Sequence, residues 1–277
     1  RLSWPFDRNY LSSQGKLILV GDCKEDYPWV YSARRLGAKA GEFDHPGMVA
    51  EDAAGAVYVA DTGNRRIQVF SPRNLVSPAE VVPMTPKPLV VAVRETLLAV
   101  GADDGSLSVY EKKDGAFALL ASHSVGMARS VGFGPDGALY VALHDSLKKY
   151  ALTKEPQGSL KETAVVAPSC LAQWPNLFAW NVSMVPGPGG AIFFPADQQG
   201  KLLSLDPATD EIRERGKLPW MTLAIGFAAD GTLFSGNIQD QDGSAVIQKH
   251  KLGDTSLEAL GPFTAEPLYK ERNIPIW

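Results

Sequence analysis

The chain has 277 residues, of which 45% are hydrophobic and 21% are charged, and its formal net charge is −4. This is the composition of an ordinary globular protein, and a chain of this length can bury a core without metals or disulfides. The acidic balance disfavours a nucleic-acid partner, which needs a basic face, and no apolar run reaches the roughly 18 residues of a membrane span.

Short predicted strands, separated by turn residues, follow one another from the start of the chain. The first unit, residues 1–38, contains the apolar run 17–20. The second unit, residues 41–75, has three alternating segments divided by Gly55 and by the turn 62–65. Because β-branched and aromatic residues alternate there between clusters of Gly, Asp and Asn, these segments are predicted to be strands joined by hairpins.

The same pattern recurs in four later units. They cover residues 86–115, 127–155, 178–210 and 219–255, and glycines at positions 15, 55, 137, 190 and 231 mark corresponding hairpins. A repeat of about 40 residues with several short strands per unit is typical of a β-propeller. The sequence therefore predicts an all-β fold, a six-bladed β-propeller that forms a single domain over residues 1–277.

Two segments fall outside the predicted blades. The first is an insertion at residues 155–179, and the second is a C-terminal tail at residues 256–277. Residues 257–260 within the tail are predicted to pair with the N-terminal segment and so to close the ring.

Residues 41–72 resemble an NHL repeat. The motif elements are Phe43, Pro46, Gly55, the run Tyr58-Val59-Ala60-Asp61 and the run Asn64-Arg65-Arg66-Ile67-Gln68-Val69-Phe70. The resemblance implies an NHL-like six-bladed propeller, related in shape to gluconolactonase-like propellers. It also implies that Asp61, Asn64 and Arg65 lock their own hairpin rather than contact a ligand.

Acidic residues recur in the turns that join second to third strands. Asp22, Asp61, Asp103, Asp145 and Asp197 occupy these turns in five successive units. Carboxylate oxygens are the ligands that calcium prefers, so Asp22, Asp103, Asp145 and Asp197 are candidate calcium ligands. The alternative is that each aspartate holds its own turn by accepting bonds from backbone N–H groups.

Four other residues are candidate ligand-binding positions. Arg129 and Asn181 lie near the starts of predicted first strands, where Gly47 is the equivalent residue of the second unit. An arginine there suits a carboxylate or phosphate, unless it pairs with a neighbouring acid. Trp174 and Trp180 lie in and beside the insertion, either as aromatic anchors for a partner or buried within a loop that caps the channel.

No catalytic set converges in the sequence. A zinc enzyme similar to the peptidylamidoglycolate-lyase propellers would have three channel histidines on first strands, and the four histidines, at positions 45, 123, 144 and 250, fall elsewhere. The sequence predicts a non-catalytic binding module that holds another protein or a small ligand through its channel-mouth loops, the insertion and the tail. The alternative is a calcium-dependent, lactonase-like hydrolase or lyase with its site in the central channel.

The two cysteines do not determine the cellular compartment of the protein. Cys23 and Cys170 are either free thiols or one disulfide, and only the latter would indicate an oxidising compartment. An extracytoplasmic or organelle-lumenal location is favoured only if the chain is a processed mature form.

Overall fold

A computed structural model describes residues 8–11, 17–20, 37–71, 74, 77–144, 146–154, 158–166, 182–196, 200–219, 222–228, 230–238, 245–254 and 256–262. Within these ranges the regular secondary structure is β-strand, joined by turns, apart from one short 3-10 helix at Pro188–Gly190. No helix in the described ranges has the length and apolar character that crossing a membrane would take.

The strands form five four-stranded antiparallel sheets and one two-stranded sheet, each from strands consecutive in the chain. The two-stranded sheet pairs β1 (Arg8–Leu11) with β2 (Leu17–Val20). Blade 1 contains β3 (Pro46–Glu51), β4 (Val57–Asp61), β5 (Arg66–Phe70) and β6 (Glu80–Pro83), and blade 2 contains β7 (Pro88–Arg94), β8 (Leu97–Ala102), β9 (Ser106–Lys113) and β10 (Ala116–Ser124). Blade 3 contains β11 (Ser130–Phe133), β12 (Leu139–Ala142), β13 (Leu147–Thr153) and β14 (Ser159–Val166), and blade 4 contains β15 (Val185–Pro186), β16 (Ile192–Ala196), β17 (Lys201–Asp206) and β18 (Glu211–Lys217). Blade 5 contains β19 (Thr222–Phe227), β20 (Leu233–Ile238), β21 (Ala245–Leu252) and β22 (Leu257–Pro262).

The five blades are arranged around their first strands. β3 contacts β7, β7 contacts β11, β11 contacts β15 and β15 contacts β19, while β1 contacts both β19 and β3. The two-stranded sheet therefore stands between blade 5 and blade 1 and continues the ring. This arrangement confirms the predicted all-β propeller.

The predicted number of blades is wrong, because the described chain forms five four-stranded blades rather than six. The physical reason lies in the N-terminal unit, where β2 pairs with the preceding β1 and the described residues contribute a hairpin only.

Two outer strands lie where the sequence indicated segments outside the blades. β14 begins the stretch predicted as an insertion, and only Leu160 and Val166 of its eight residues are buried. β22 lies in the predicted tail and pairs with β21 of its own blade. Between the described residues, the predicted pairing of residues 257–260 with the N-terminal segment is not formed, because these residues complete the sheet that precedes them.

The core lies between neighbouring blades. One cluster joins blades 1, 2 and 3 through fully buried side chains such as Ile67, Leu98 and Leu139. A second joins blades 3 and 4, where Leu147 and Ile192 are buried. Radial stacking of this kind buries both faces of each sheet, which one blade cannot do alone.

A β-bulge interrupts the pairing of the third and fourth strands in blades 2 to 5. The register shifts place one extra residue on the outer strand each time, and these residues are Leu120, Thr163, Arg215 and Leu260. A bulge bends the strand and increases its twist, so these outer strands are not straight. Blade 1 lacks the bulge, but its outer strand has four residues and ends at a proline.

Candidate functional site

The first strands of adjacent blades come close together at one end of the ring. Thr62, in the turn between β4 and β5, donates its hydroxyl to the carbonyl oxygen of Pro88 at 2.6 Å, at the start of β7. A Cβ added to Gly47 of β3 would overlap the carbonyl oxygen of Leu89 in β7. We call this end, formed by the starts of first strands and the turns between second and third strands, the channel mouth.

Asp61 at the channel mouth is saturated by donors from its own blade. It is fully buried, and its carboxylate accepts bonds from Asp44 N at 2.8 Å, Asn64 Nδ2 at 3.0 Å, Arg66 Nε at 2.6 Å and Gln68 Nε2 at 3.0 Å. These bonds confirm the predicted structural role of Asp61 and Asn64, and they leave no lone pair for a ligand or metal.

The arginine of this cluster is Arg66 rather than Arg65, so that part of the prediction is wrong. Arg66 begins β5 and lies directly opposite Asp61 in the antiparallel register, which aims both side chains to the same side. Arg65 is exposed and occupies the turn with a φ of 53°.

Asp103 links the turn after β8 to the start of β7. Its Oδ1 accepts a bond from Lys87 N at 3.0 Å, and its own N–H donates to Lys87 O at 3.0 Å. The carboxylate is exposed, and Oδ2 has no partner in the described part of the chain. Asp103 therefore combines a backbone-holding role with one available oxygen.

The predicted calcium site stays a prediction. Asp22, Asp145 and Asp197 lie outside the described residues, as do Cys23 and Cys170. Within the described ranges, no three His, Cys, Asp or Glu residues are grouped so that they could hold a metal ion.

Arg129 lies directly before β11, and its N–H donates to Ala142 O at 2.7 Å. Its side chain is half-buried, and its Nε is covered yet has no hydrogen-bond acceptor among the residues that the structure describes. The alternative drawn from the sequence, an ion pair with a neighbouring acid, is not formed within those residues. By contrast, Arg94 at the other end of the ring donates to Gly134 O at 2.5 Å.

The segment leading to Arg129 is attached to the turn that carries Asp103. Val125 N and Gly126 N both donate to Gly105 O, at 2.9 and 3.0 Å. A Cβ added to Gly101 would lie 2.9 Å from the Cβ of Ala128, one residue before Arg129. The two charged residues therefore stand on adjoining segments of the channel mouth.

Met127 belongs to the same segment and was not predicted from the sequence. Its side chain is 49% exposed, and it lies between Gly126 and Ala128. The sequence feature that could have indicated this segment is the pair of glycines Gly105 and Gly126. Their φ values of 84° and 91° allow the two backbones to approach closely.

The remaining predicted ligand-binding positions stay predictions. Asn181, Trp174 and Trp180 lie outside the described residues.

The histidines do not assemble a metal site in the described chain. His45 lies beside Asp44, and the His123 ring packs 5.7 Å from that of Tyr150. His250 on β21 is 2% exposed and its Nε2 lies 2.8 Å from Ser235 Oγ. Burial lowers the pKa of His250, so this ring is held neutral.

No protein-family model matches the chain, and no curated protein matches it. The NHL resemblance is therefore not confirmed. Solved structures do match, among them a catalytically inactive virginiamycin B lyase from Staphylococcus aureus with quinupristin, at 14% identity over 94% of this chain and 78% of that chain, with a TM-score of 0.54. A protein from Lactobacillus plantarum matches at 17% identity over 94% and 78% of the two chains, with a TM-score of 0.55. Hydrazine synthase from Kuenenia stuttgartiensis matches at 13% identity over 78% and 66%, with a TM-score of 0.54. Identities this low show a shared β-propeller fold and nothing further about activity.

Proposed function

We propose that this propeller is a non-catalytic binding module that takes an anionic group of a ligand or partner protein at its channel mouth, through Arg129. The observation that carries the proposal is the half-buried guanidinium of Arg129, which forms no ion pair within the described chain and whose covered Nε has no acceptor there. Because Nε is covered, a carboxylate or phosphate oxygen would bind the terminal nitrogens of the guanidinium, where a hydrogen bond to a charged group contributes about 1.5–3 kcal/mol. Guanidinium also pairs with such oxyanions through two parallel bonds.

The two described carboxylates of these turns are bonded to the protein itself. The carboxylate of Asp61 accepts hydrogen bonds from four donors, and Oδ1 of Asp103 accepts one from the backbone N–H of Lys87. Calcium needs six to eight oxygens, so a calcium site would depend on Asp22, Asp145 and Asp197, which lie outside the described residues. The proposed surface extends to the NHL-type channel loops, to the connection at 155–179 and to the C-terminal residues.

A calcium-dependent, lactonase-like hydrolase or lyase is the second candidate. It is kept because the fold is shared with a virginiamycin B lyase, although at 14% identity the fold alone is common to the two chains. Its metal ligands would come from Asp22, Asp103, Asp145 and Asp197. Elemental analysis of the dialysed protein separates the candidates, because a stoichiometric metal would favour the enzyme.

The binding proposal is tested with small anions as probes. Acetate, butanoate and inorganic phosphate are titrated into the protein at constant ionic strength, and dissociation constants are measured by NMR chemical-shift changes. Arg129→Gln is expected to weaken binding about tenfold or more, because a hydrogen bond to a charged group is lost. Arg65→Gln is the matched control, since Arg65 is also at the channel mouth but exposed.

Two results would contradict the proposal. The first is that none of the anions binds the unaltered protein. The second is that Arg129→Gln, with an unchanged melting temperature, binds them as well as the control variant does.

A further inference from the structure

We infer that the channel mouth binds a zwitterionic ligand, whose anionic group contacts Arg129 and whose ammonium group contacts Asp103. This inference rests on the proposed function and names the class of ligand. The candidates are small amino-carboxylates, in which a short aliphatic spacer separates the two charges.

Asp103 and Arg129 carry opposite charges and lie on adjoining segments, but they do not pair with each other. The turn 102–106 and the segment 125–129 are joined by the bonds to Gly105 O. Asp103 and Arg129 nevertheless form no ion pair with each other, and the Nε of Arg129 stays without an acceptor in the described chain. Each residue therefore keeps capacity for a ligand group of the opposite charge.

Asp103 is oriented for this role by the backbone. The bond from Lys87 N holds Oδ1, and Oδ2 of this exposed residue has no partner in the described chain. A simple anion at Arg129 would be repelled by this carboxylate, whereas an ammonium group on the same ligand would be attracted to it. The presence of Asp103 thus favours a zwitterion over an anion of the same size.

Met127 supplies apolar surface in the same segment. Its flexible thioether side chain is about half exposed and precedes Arg129 by two residues. A side chain of this kind adapts to irregular apolar groups, which suits the methylene spacer of an amino-carboxylate.

The test compares two series of probes that differ only in the amino group. Glycine, 3-aminopropanoate and 4-aminobutanoate are compared with acetate, propanoate and butanoate at constant ionic strength. The member of the first series with the matching spacer is expected to bind up to about fivefold more tightly than its partner in the second, as an exposed ion pair permits.

Asp103→Asn is expected to remove this preference and to leave the binding of acetate unchanged or slightly tighter. The amide keeps an oxygen that can accept the bond from Lys87 N, so the turn is retained while the charge is lost. Asp104→Asn is the matched control, because the neighbouring Asp104 is also exposed and bonds the backbone N–H of Ser106 at 2.9 Å. This variant is expected to keep the preference.

The possible results distinguish the anion site at Arg129 from the preference for a zwitterion through Asp103. If both series bind equally and Asp103→Asn changes nothing, the zwitterion inference is overturned while the anion site stands. The inference is also overturned if Asp103→Asn weakens both series alike. If neither series binds, the proposed function falls and the inference falls with it.

Discussion

Removing the carboxylate of Asp61 is expected to be among the most destabilising single changes in blade 1. The Asp61 side chain is 0% exposed and that of Arg66 is 11% exposed, so Asp61→Ala leaves a largely buried guanidinium without its carboxylate partner and with only backbone carbonyl oxygens as acceptors. Breaking a buried ion pair from one side costs about 3–5 kcal/mol. The side chains of Asn64 and Gln68 lose one acceptor as well but keep a backbone carbonyl oxygen each, so we expect a loss of free energy of unfolding within that range.

Urea unfolding followed by circular dichroism measures this loss. Arg66→Ala is expected to be comparably destabilising, whereas Arg65→Ala should change the free energy of unfolding by less than about 0.5 kcal/mol, as exposed positions usually do. A decrease of less than about 1 kcal/mol in the free energy of unfolding of Asp61→Ala would contradict this expectation. It is equally refuted if Arg65→Ala is as damaging as Arg66→Ala.

Two further predictions concern pH and close packing. Because burial lowers the pKa of His250, the folded protein takes up this proton less readily than the unfolded chain; stability is full above the unfolded pKa of about 6.5 and decreases as the pH falls below it. His250→Gln, which can still bond Ser235, should flatten the change in the urea midpoint between about pH 7.5 and pH 5, and an unaltered slope would show that another group is responsible. Gly47→Ala should lower the melting temperature more than Gly231→Ala, because the first methyl group meets the backbone of Leu89 and the second meets open space at a φ of 84°. The expected losses in the free energy of unfolding are about 2–3 kcal/mol for Gly47→Ala and about 1 kcal/mol for Gly231→Ala. The reverse order would contradict the packing at the channel mouth.

The hairpins within the blades could be predicted because their signals are local. Gly55, Gly137 and Gly231 were identified from the sequence as turn positions, and all three have φ values near 80°. Such conformations favour glycine whatever the rest of the fold does. The period of these glycines was sufficient to predict a propeller.

The outer strands and the number of complete blades were not predictable in the same way. A strand at the outer edge of a blade buries few side chains, so its hydrophobic alternation is weak, as in residues 159–166. The choice between Arg65 and Arg66 depended on a register difference of one residue, which the motif alone does not resolve.

In the candidate site, too, local features could be predicted and contacts between blades could not. Arg129 was identified from its place near a predicted first strand. The sequence did not indicate that its segment joins the turn of Asp103, because that contact depends on the packing of one blade against the next. Met127 itself carried no periodic signal, and only the glycines at positions 105 and 126 marked the close approach of its segment to the neighbouring turn.

The bulged outer strands have a consequence for the behaviour of the protein at high concentration. An outer strand offers unpaired backbone groups to other molecules, and β10 is nine residues long with no Asp, Glu, Lys or Arg to discourage edge-to-edge association. The extra residue Leu120 bends this strand, and Gly158 lies directly against the carbonyl oxygen of Leu120. The edge is therefore neither straight nor fully open, so β10 resists self-association through its backbone shape rather than through charge.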